Sequence, residues 1–280
     1  MRGIAWWAWL GVGVIAAAMS LALGGSVLVG RYVTPLCWTG FILVVDGALA
    51  ARGRSWLRRR PRELLLAAAI SIPSWLLFEL YDRPRFWDPQ GPELWWHYRG
   101  LPPWPERGLG YAWSFATITP AVLLLAEWLE PCASRLLGSG KGGKVPAELR
   151  WLLVALGAVL AAFPLLWPSP HFAADVWLAW PLLLDPINHR LGNPSLLGDL
   201  EQGRRARLGA LLASGLVCGL LWECWNWLAT ARWSYTVPFA GDVKVFAMPV
   251  LGFAGFAPFA LAVFALYQLL RSALPGRAAP

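Results

Sequence analysis

The sequence predicts an all-α integral membrane protein of about eight transmembrane helices, arranged as two tandem four-helix repeats. Three observations carry that prediction. Hydrophobic residues make up 58% of the 280-residue chain and charged residues 14%, with a mean hydropathy of +0.50, whereas a soluble domain needs about a quarter of its residues charged. Segments able to cross a hydrocarbon core of about 30 Å, which takes roughly 17–25 helical residues, recur along the whole chain. Finally, one ordered series of landmarks occurs twice. Trp38, Asp46, Gly53, Ser55, Glu79, Trp96-x-Tyr98 and Phe115-Ala116-x-x-x-Pro120 return as Trp177, Asp185, Gly192, Ser195, Glu223, Trp233-x-Tyr235 and Phe253-Ala254-x-x-x-Pro258. Order and near-constant offset together point to an internal repeat.

The expected spans follow in order. Segment 4–29 begins after Met1-Arg2 and so imitates a signal peptide. Its apolar run is longer than a usual signal core, and no small-x-small site leads into a polar start. Its counterpart, 151–167, places it within the fold. Segment 33–51 carries Trp38 and Asp46 and enters a loop rich in arginine (Arg52, Arg54, Arg58, Arg59, Arg60, Arg62). Segment 63–81 carries Glu79 near its end and is followed by Trp87, Trp96 and Tyr98, then by segment 109–129. Residues 1–130 form the first repeat, 131–146 a Gly/Lys linker, and 147–280 the second repeat, with spans at 151–167, 172–188, 208–228 and 246–270. Within the linker, Gly138-x4-Gly143-Lys144 resembles a phosphate-binding loop, but Val145 stands where that loop needs Ser or Thr and no strand precedes it.

Charge sets the expected orientation. With eight crossings, most of the 24 Lys and Arg fall on the face that holds both ends of the chain. The positive-inside rule then places both termini in the cytoplasm, as a multi-pass protein of the cell inner (plasma) membrane. Basic loops facing anionic headgroups account for the net charge of +8, so no nucleic-acid partner is implied. Four helices per unit would relate the two units by an axis along the membrane normal.

Acids inside spans are the main chemical signal, because a charged side chain there is costly and usually functional or paired. Asp46 and Asp185 read as structural acids, pairing with Arg52, Arg54 or Arg190 or capping the next segment. Glu79 and Glu223 read as catalytic acids. Glu223 lies in Leu220-Leu221-Trp222-Glu223-Cys224-Trp225-Asn226-Trp227, an apolar and aromatic surround that disfavours a carboxylate's charge. Trp222, Trp225, Asn226, Trp233 and Tyr235 around it, with Trp96 and Tyr98 after Glu79, are the expected substrate-binding residues, since aromatic faces stabilise cations. Most of the 20 tryptophans need only the interfacial preference of that side chain. Four scattered cysteines and His97, His171 and His189 lack the spacing of a disulfide or metal site, so no metal is expected.

The stretch from Asp185 to Tyr267 resembles the small three-helix lycopene cyclase domain of carotenoid pathways. The likeness is carried by Asp185, Trp222-Glu223-x-Trp225, Trp233-x-Tyr235, Pro249-Val250-Leu251, Phe253, Pro258 and Tyr267, and more weakly in the first repeat by Asp46, Glu79, Trp96 and Tyr98. Family members act as paired or fused domains. The chain departs from the family at its paired glutamates, where Val250 and Leu251 stand in the second repeat and Ala112 and Trp113 in the first. The resemblance implies a membrane-embedded enzyme acting on an isoprenoid or carotenoid-like lipid by acid-initiated cyclisation or isomerisation. The alternative class is a non-enzymatic membrane protein, either a small-solute or lipid transporter or a subunit of a complex. The residues name no cofactor and no oligomeric state.

Overall fold

The computed structural model describes residues 3–83, 93–236, 238 and 241–274; Trp87 lies outside them. The first helices, α1 (Trp6–Leu23) and α2 (Val27–Ala51), are an antiparallel pair. The turn between them needs glycine, because Gly25 has φ of 84°. Expected segment 4–29 is therefore cut at Gly24-Gly25, a break that hydropathy does not register. The pair is close enough that a side-chain carbon at Gly11 would strike the Gly40 carbonyl, and one at Gly47 would strike Ala8.

A short helix α3 (Trp56–Arg59) leads into α4 (Pro61–Asp82), which starts on a proline whose missing N–H costs nothing in a first turn. Strand β1 (Trp96–Arg99) separates α4 from α5 (Glu106–Leu137). Because α5 runs to Leu137, the linker begins at Gly138 and not at residue 131. The second half follows with α6 (Ala147–Leu166), α7 (Ala173–Arg190), the short α8 (Leu196–Glu201), α9 (Ala206–Leu228), β2 (Arg232–Tyr235), a small hairpin of β3 (Lys244–Val245) with β4 (Met248–Pro249), and α10 (Phe256–Ser272).

Helix α1 packs along α2, and α6 along α7; α5 lies against α2, α4 and α9, while α10 lies against α7, α9 and α4. Phe78, Leu124, Val176 and Ala260 are among the buried residues of this interior. By contrast α1 and α6 expose Leu10, Leu21, Leu152, Val159 and Leu166. Such surface suits contact with acyl chains, which are as apolar as leucine.

Seven helices among the described residues are long and apolar enough to cross a membrane: α1, α2, α4, α5, α6, α9 and the stretch Val250–Ser272 that contains α10. The chain is a multi-pass membrane protein with seven such helices in place of the eight expected. The exception is α7, whose 18 residues include Asp175, Asp185 and Arg190. By that count the crossings are odd in number and the two ends of the chain fall on opposite faces. The expectation that both termini are cytoplasmic is overturned.

Asp46 and Asp185 do cap, and they do so alike. Asp46 Oδ1 accepts the backbone N–H of Trp56 (2.6 Å) and Leu57 (3.2 Å), while Oδ2 accepts from the Ser55 hydroxyl (2.7 Å) and Trp7 Nε1 (3.2 Å). Asp185 accepts the N–H groups of Leu196 (2.7 Å) and Leu197 (2.8 Å). Ser55 and Ser195 cap α3 and α8 by accepting from Arg58 N and Gly198 N, each at 3.1 Å. The arginines that the sequence offers as alternative partners are engaged elsewhere: Arg54 with Glu127, Arg52 with the Trp128 carbonyl, and Arg190 over the Trp151 ring.

Removing either aspartate orphans two backbone donors, one buried and one partly buried. A hydrogen bond to a charged group is worth about 1.5–3 kcal/mol, so Asp46→Ala and Asp185→Ala should each destabilise the detergent-solubilised protein by about 3 kcal/mol. Denaturant titration followed by tryptophan fluorescence checks this, and an unshifted midpoint would show that the capped turns carry no stability.

Candidate functional site

The site is built beneath a two-stranded ribbon. β1 and β2 pair antiparallel with Trp96 opposite Tyr235, His97 opposite Ser234, Tyr98 opposite Trp233 and Arg99 opposite Arg232. Each Trp-x-Tyr thus meets the other in reverse, and a strand from each half completes one element. Two buried side chains tie the ribbon to its helices. Asp82, at the end of α4, accepts the N–H groups of Trp95 (2.7 Å) and Trp96 (3.0 Å). Asn226, near the end of α9, accepts Trp233 N (2.9 Å) and donates to the Trp233 carbonyl (2.8 Å).

Below the ribbon lies a cavity of about 120 Å³, open at its mouth and walled by residues of both halves. Trp38, Trp75 and Trp96 come from the first half, and Trp177, Trp222 and Trp233 from the second. The rings form a continuous lining: Trp75 lies 5.1 Å from Trp222 and 5.8 Å from Trp96, Trp38 lies 5.8 Å from Trp222, and Trp177 lies 5.4 Å from Phe259. An aromatic-lined core in a multi-pass membrane protein offers apolar contact together with negative ring faces.

The two glutamates stand behind this wall rather than in it. Tyr235 lines the cavity and donates to Glu223 Oε1 at 2.6 Å, while Trp233 Nε1 donates to the Tyr235 oxygen, also at 2.6 Å. Glu223 is fully buried, and its Oε2 has no hydrogen-bond partner among the described residues. Glu79 is half-buried and accepts from Tyr98 (2.6 Å) and from Trp75 Nε1 (2.7 Å). Burial first, and the adjacent carboxylate second, push the Tyr98 and Tyr235 phenols well above their ordinary pKa, so each keeps its proton.

Of the expected substrate-binding residues, Trp96, Tyr98, Trp222, Trp233 and Tyr235 line the cavity, whereas Trp225 and Asn226 are outside its lining. Trp225 packs edge-on against Trp38 with ring centres 4.8 Å apart; Asn226 holds the ribbon. Residues not foreseen as site residues are Trp38, Trp75, Trp177, Phe259 and Asp82. Trp38 and Trp177 carried a signal as members of the repeated series, whereas Asp82 reads in sequence as one more loop charge.

Among the described residues no group of three or more His, Cys, Asp or Glu could hold a metal, and the four cysteines are free. Where the resemblance to the lycopene cyclase domain would place paired glutamates, Val250 and Leu251 are exposed in a short 3-10 helix before α10, and Trp113 stacks on Tyr32. No family model, curated protein or solved structure matches the chain. The likeness to that domain therefore rests on the residues alone.

Asn226→Leu keeps the branched side-chain shape at a larger volume and deletes both bonds to Trp233, a loss of about 1–3 kcal/mol. Hydrogen exchange should accelerate at 233–235 and across the ribbon at 96–98, with α1 and α2 unchanged. Equal protection in the variant would mean that helix packing alone holds the ribbon.

Proposed function

We propose that this membrane protein is an enzyme acting on an isoprenoid or carotenoid-like lipid by acid-initiated cyclisation or isomerisation, akin to the small lycopene cyclase domains, and that it comprises two tandem four-helix units, 1–130 and 147–280. The observation that carries the reading is the pairing of a cavity-wall tyrosine with a glutamate behind it, made once in each half: Tyr235 with the buried Glu223, and Tyr98 with the half-buried Glu79. The matched aspartate caps and the reciprocal ribbon register support the tandem arrangement.

A free phenol, with an ordinary pKa near 10, is a weak acid. Joined to a carboxylic acid it becomes a relay. With the proton on the carboxyl, the same 2.6 Å contact has Glu223 donating to the Tyr235 oxygen, which also accepts from Trp233 Nε1; the phenol O–H is then free to point into the cavity. Tyr235 gives its proton to an alkene carbon, the π pair forms the new C–H bond, and Glu223 reprotonates Tyr235. The carbocation left behind sits among ring faces that stabilise it. After ring closure or bond migration, loss of a neighbouring C–H proton to the tyrosine–glutamate pair restores both groups, so no oxidant or reductant is consumed.

General acid catalysis contributes roughly 10²–10⁴-fold. In a host supplying linear polyenes, Glu223→Gln and Tyr235→Phe should each lower conversion by at least about 10²-fold while leaving the protein membrane-inserted. Trp233→Ala should cost less, because a cation–π contact of about 0.5–2 kcal/mol corresponds to at most roughly thirtyfold in rate. Full activity in Glu223→Gln, or no isoprenoid changed by the wild type, sinks this reading and leaves the non-enzymatic class.

A further inference from the structure

The two tyrosine–glutamate pairs are not equivalent. Glu79 and Glu223 correspond in the repeated series, and residues four apart lie one turn away on the same face of a helix. One turn before Glu79 stands Trp75; one turn before Glu223 stands Gly219. Trp75 Nε1 donates to Glu79 Oε1 at 2.7 Å, on the same oxygen that takes the Tyr98 phenol at 2.6 Å. Gly219 has no such donor and no room for one, because a side-chain carbon there would strike the Phe256 ring. Glu223 therefore has the Tyr235 phenol on Oε1 and a buried Oε2 without a partner.

Donors decide which carboxyl can carry charge. An ionised carboxylate away from water is held by the hydrogen bonds it accepts, and burial without them favours the neutral form. Glu79 has two donors and is half-buried. The acids beside it are answered, Asp82 by the Trp95 and Trp96 N–H groups and Glu93 by Arg83 and His97. Glu223 is fully buried, with one oxygen bare. Two guanidiniums line the cavity from the opening turns of α2 and α5, and both are turned to other groups: Arg31 to Glu106 (3.3 Å) and Arg107 to the Pro102 carbonyl (3.0 Å).

We infer that the two pairs divide the work: Glu223 keeps its proton at rest and serves as the acid through Tyr235, while Glu79 stays a carboxylate throughout and acts through Tyr98 as the counter-charge of a cationic centre. The cavity is then a cation site, with ring faces around the charge and one fixed negative group behind them. The phenols are set differently for this purpose. Tyr98 donates its O–H to Glu79 and leaves its oxygen lone pairs for the cavity, whereas Tyr235, accepting from a protonated Glu223, presents its O–H. Tyr98 and Tyr235 lie on one face of the ribbon as diagonal neighbours, about 7–8 Å apart, so both address one bound group. Glu79 neither gains nor loses a proton, and the proton that leaves Glu223 is replaced by the one the product releases. That the cation is a carbocation rests on the proposed function; the cation site itself rests on the hydrogen bonds. Cavities of roughly 150 Å³ hold a benzene-sized ligand, so one of about 120 Å³ takes a small methylated ammonium ion.

Two measurements test this without turnover, on the full-length protein in an uncharged detergent. In infrared spectra at neutral pH, wild type should show the carbonyl stretch of a protonated carboxyl that disappears in Glu223→Gln and persists in Glu79→Gln. Tetramethylammonium, titrated by calorimetry, should bind wild type and Glu223→Gln alike, and Glu79→Gln at least about tenfold more weakly, as loss of a unit charge several ångströms away requires. Trp75→Phe keeps an aromatic wall and removes the indole donor from Glu79. It should weaken the ion's binding in the same direction and add a second protonated-carboxyl band, which keeps the test decisive where Glu79→Gln does not fold. The inference falls if the band is lost in Glu79→Gln rather than in Glu223→Gln, if wild type binds no tetramethylammonium, or if both Glu79→Gln and Trp75→Phe bind it like wild type. A wild type that converts no isoprenoid yet meets both expectations supports the cation site and removes only the carbocation.

Discussion

The constraint on which this structure depends is that a backbone N–H inside a membrane-embedded bundle has no water to turn to. Wherever the chain leaves a helix near the interior, a side chain must take the water's place. Asp46 and Asp185 do this at the turns after α2 and α7, each accepting two successive N–H groups. Asp82 and Asn226 do it at the turns after α4 and α9, holding the residues that open β1 and β2. Four acids or amides thus occur where the helical ladder stops, and the irregular segments they hold become rigid enough to carry a site.

That rigidity is what makes a shared cavity possible. Among the described residues neither strand of the ribbon has a second partner, and a lone strand has no stability in isolation; each exists because the other half supplies its complement. The register puts Trp96 beside Tyr235 and Tyr98 beside Trp233, so both tyrosine–glutamate pairs hang from one element. The tryptophan wall is likewise shared, with Trp75 of one half against Trp222 of the other. Because it joins the halves, the cavity depends on their assembly. It brings together an apolar interior and cation-tolerant ring faces, with one buried carboxyl and one half-buried carboxyl behind them.

Sequence went furthest where the physics is local. Composition and run length establish a polytopic helical membrane protein, because burying apolar surface in lipid is a property of each segment taken alone. The doubled series of Trp, Asp, Gly, Ser and Glu singled out Asp46, Asp185, Glu79 and Glu223, the acids that the structure finds at buried turns or behind the cavity wall. Gly53 and Gly192, both at positive φ, were legible for the same reason: the turn after an interior aspartate needs them. The break at Gly24-Gly25 was not, since three residues of turn leave an apolar run unbroken in composition.

What only the tertiary structure decided depends on residues far apart in the chain. Which tryptophans line the cavity follows from helix packing: Trp225 and Trp222 differ by one turn, yet Trp222 lines it and Trp225 packs against Trp38. The placement of tyrosine between glutamate and cavity is decided by the ribbon, whose register joins residues more than a hundred positions apart. Sequence thus determined which groups are chemically unusual. The fold determined which of them face the cavity, because facing is set by long-range pairing of strands and helices and by no residue's own chemistry.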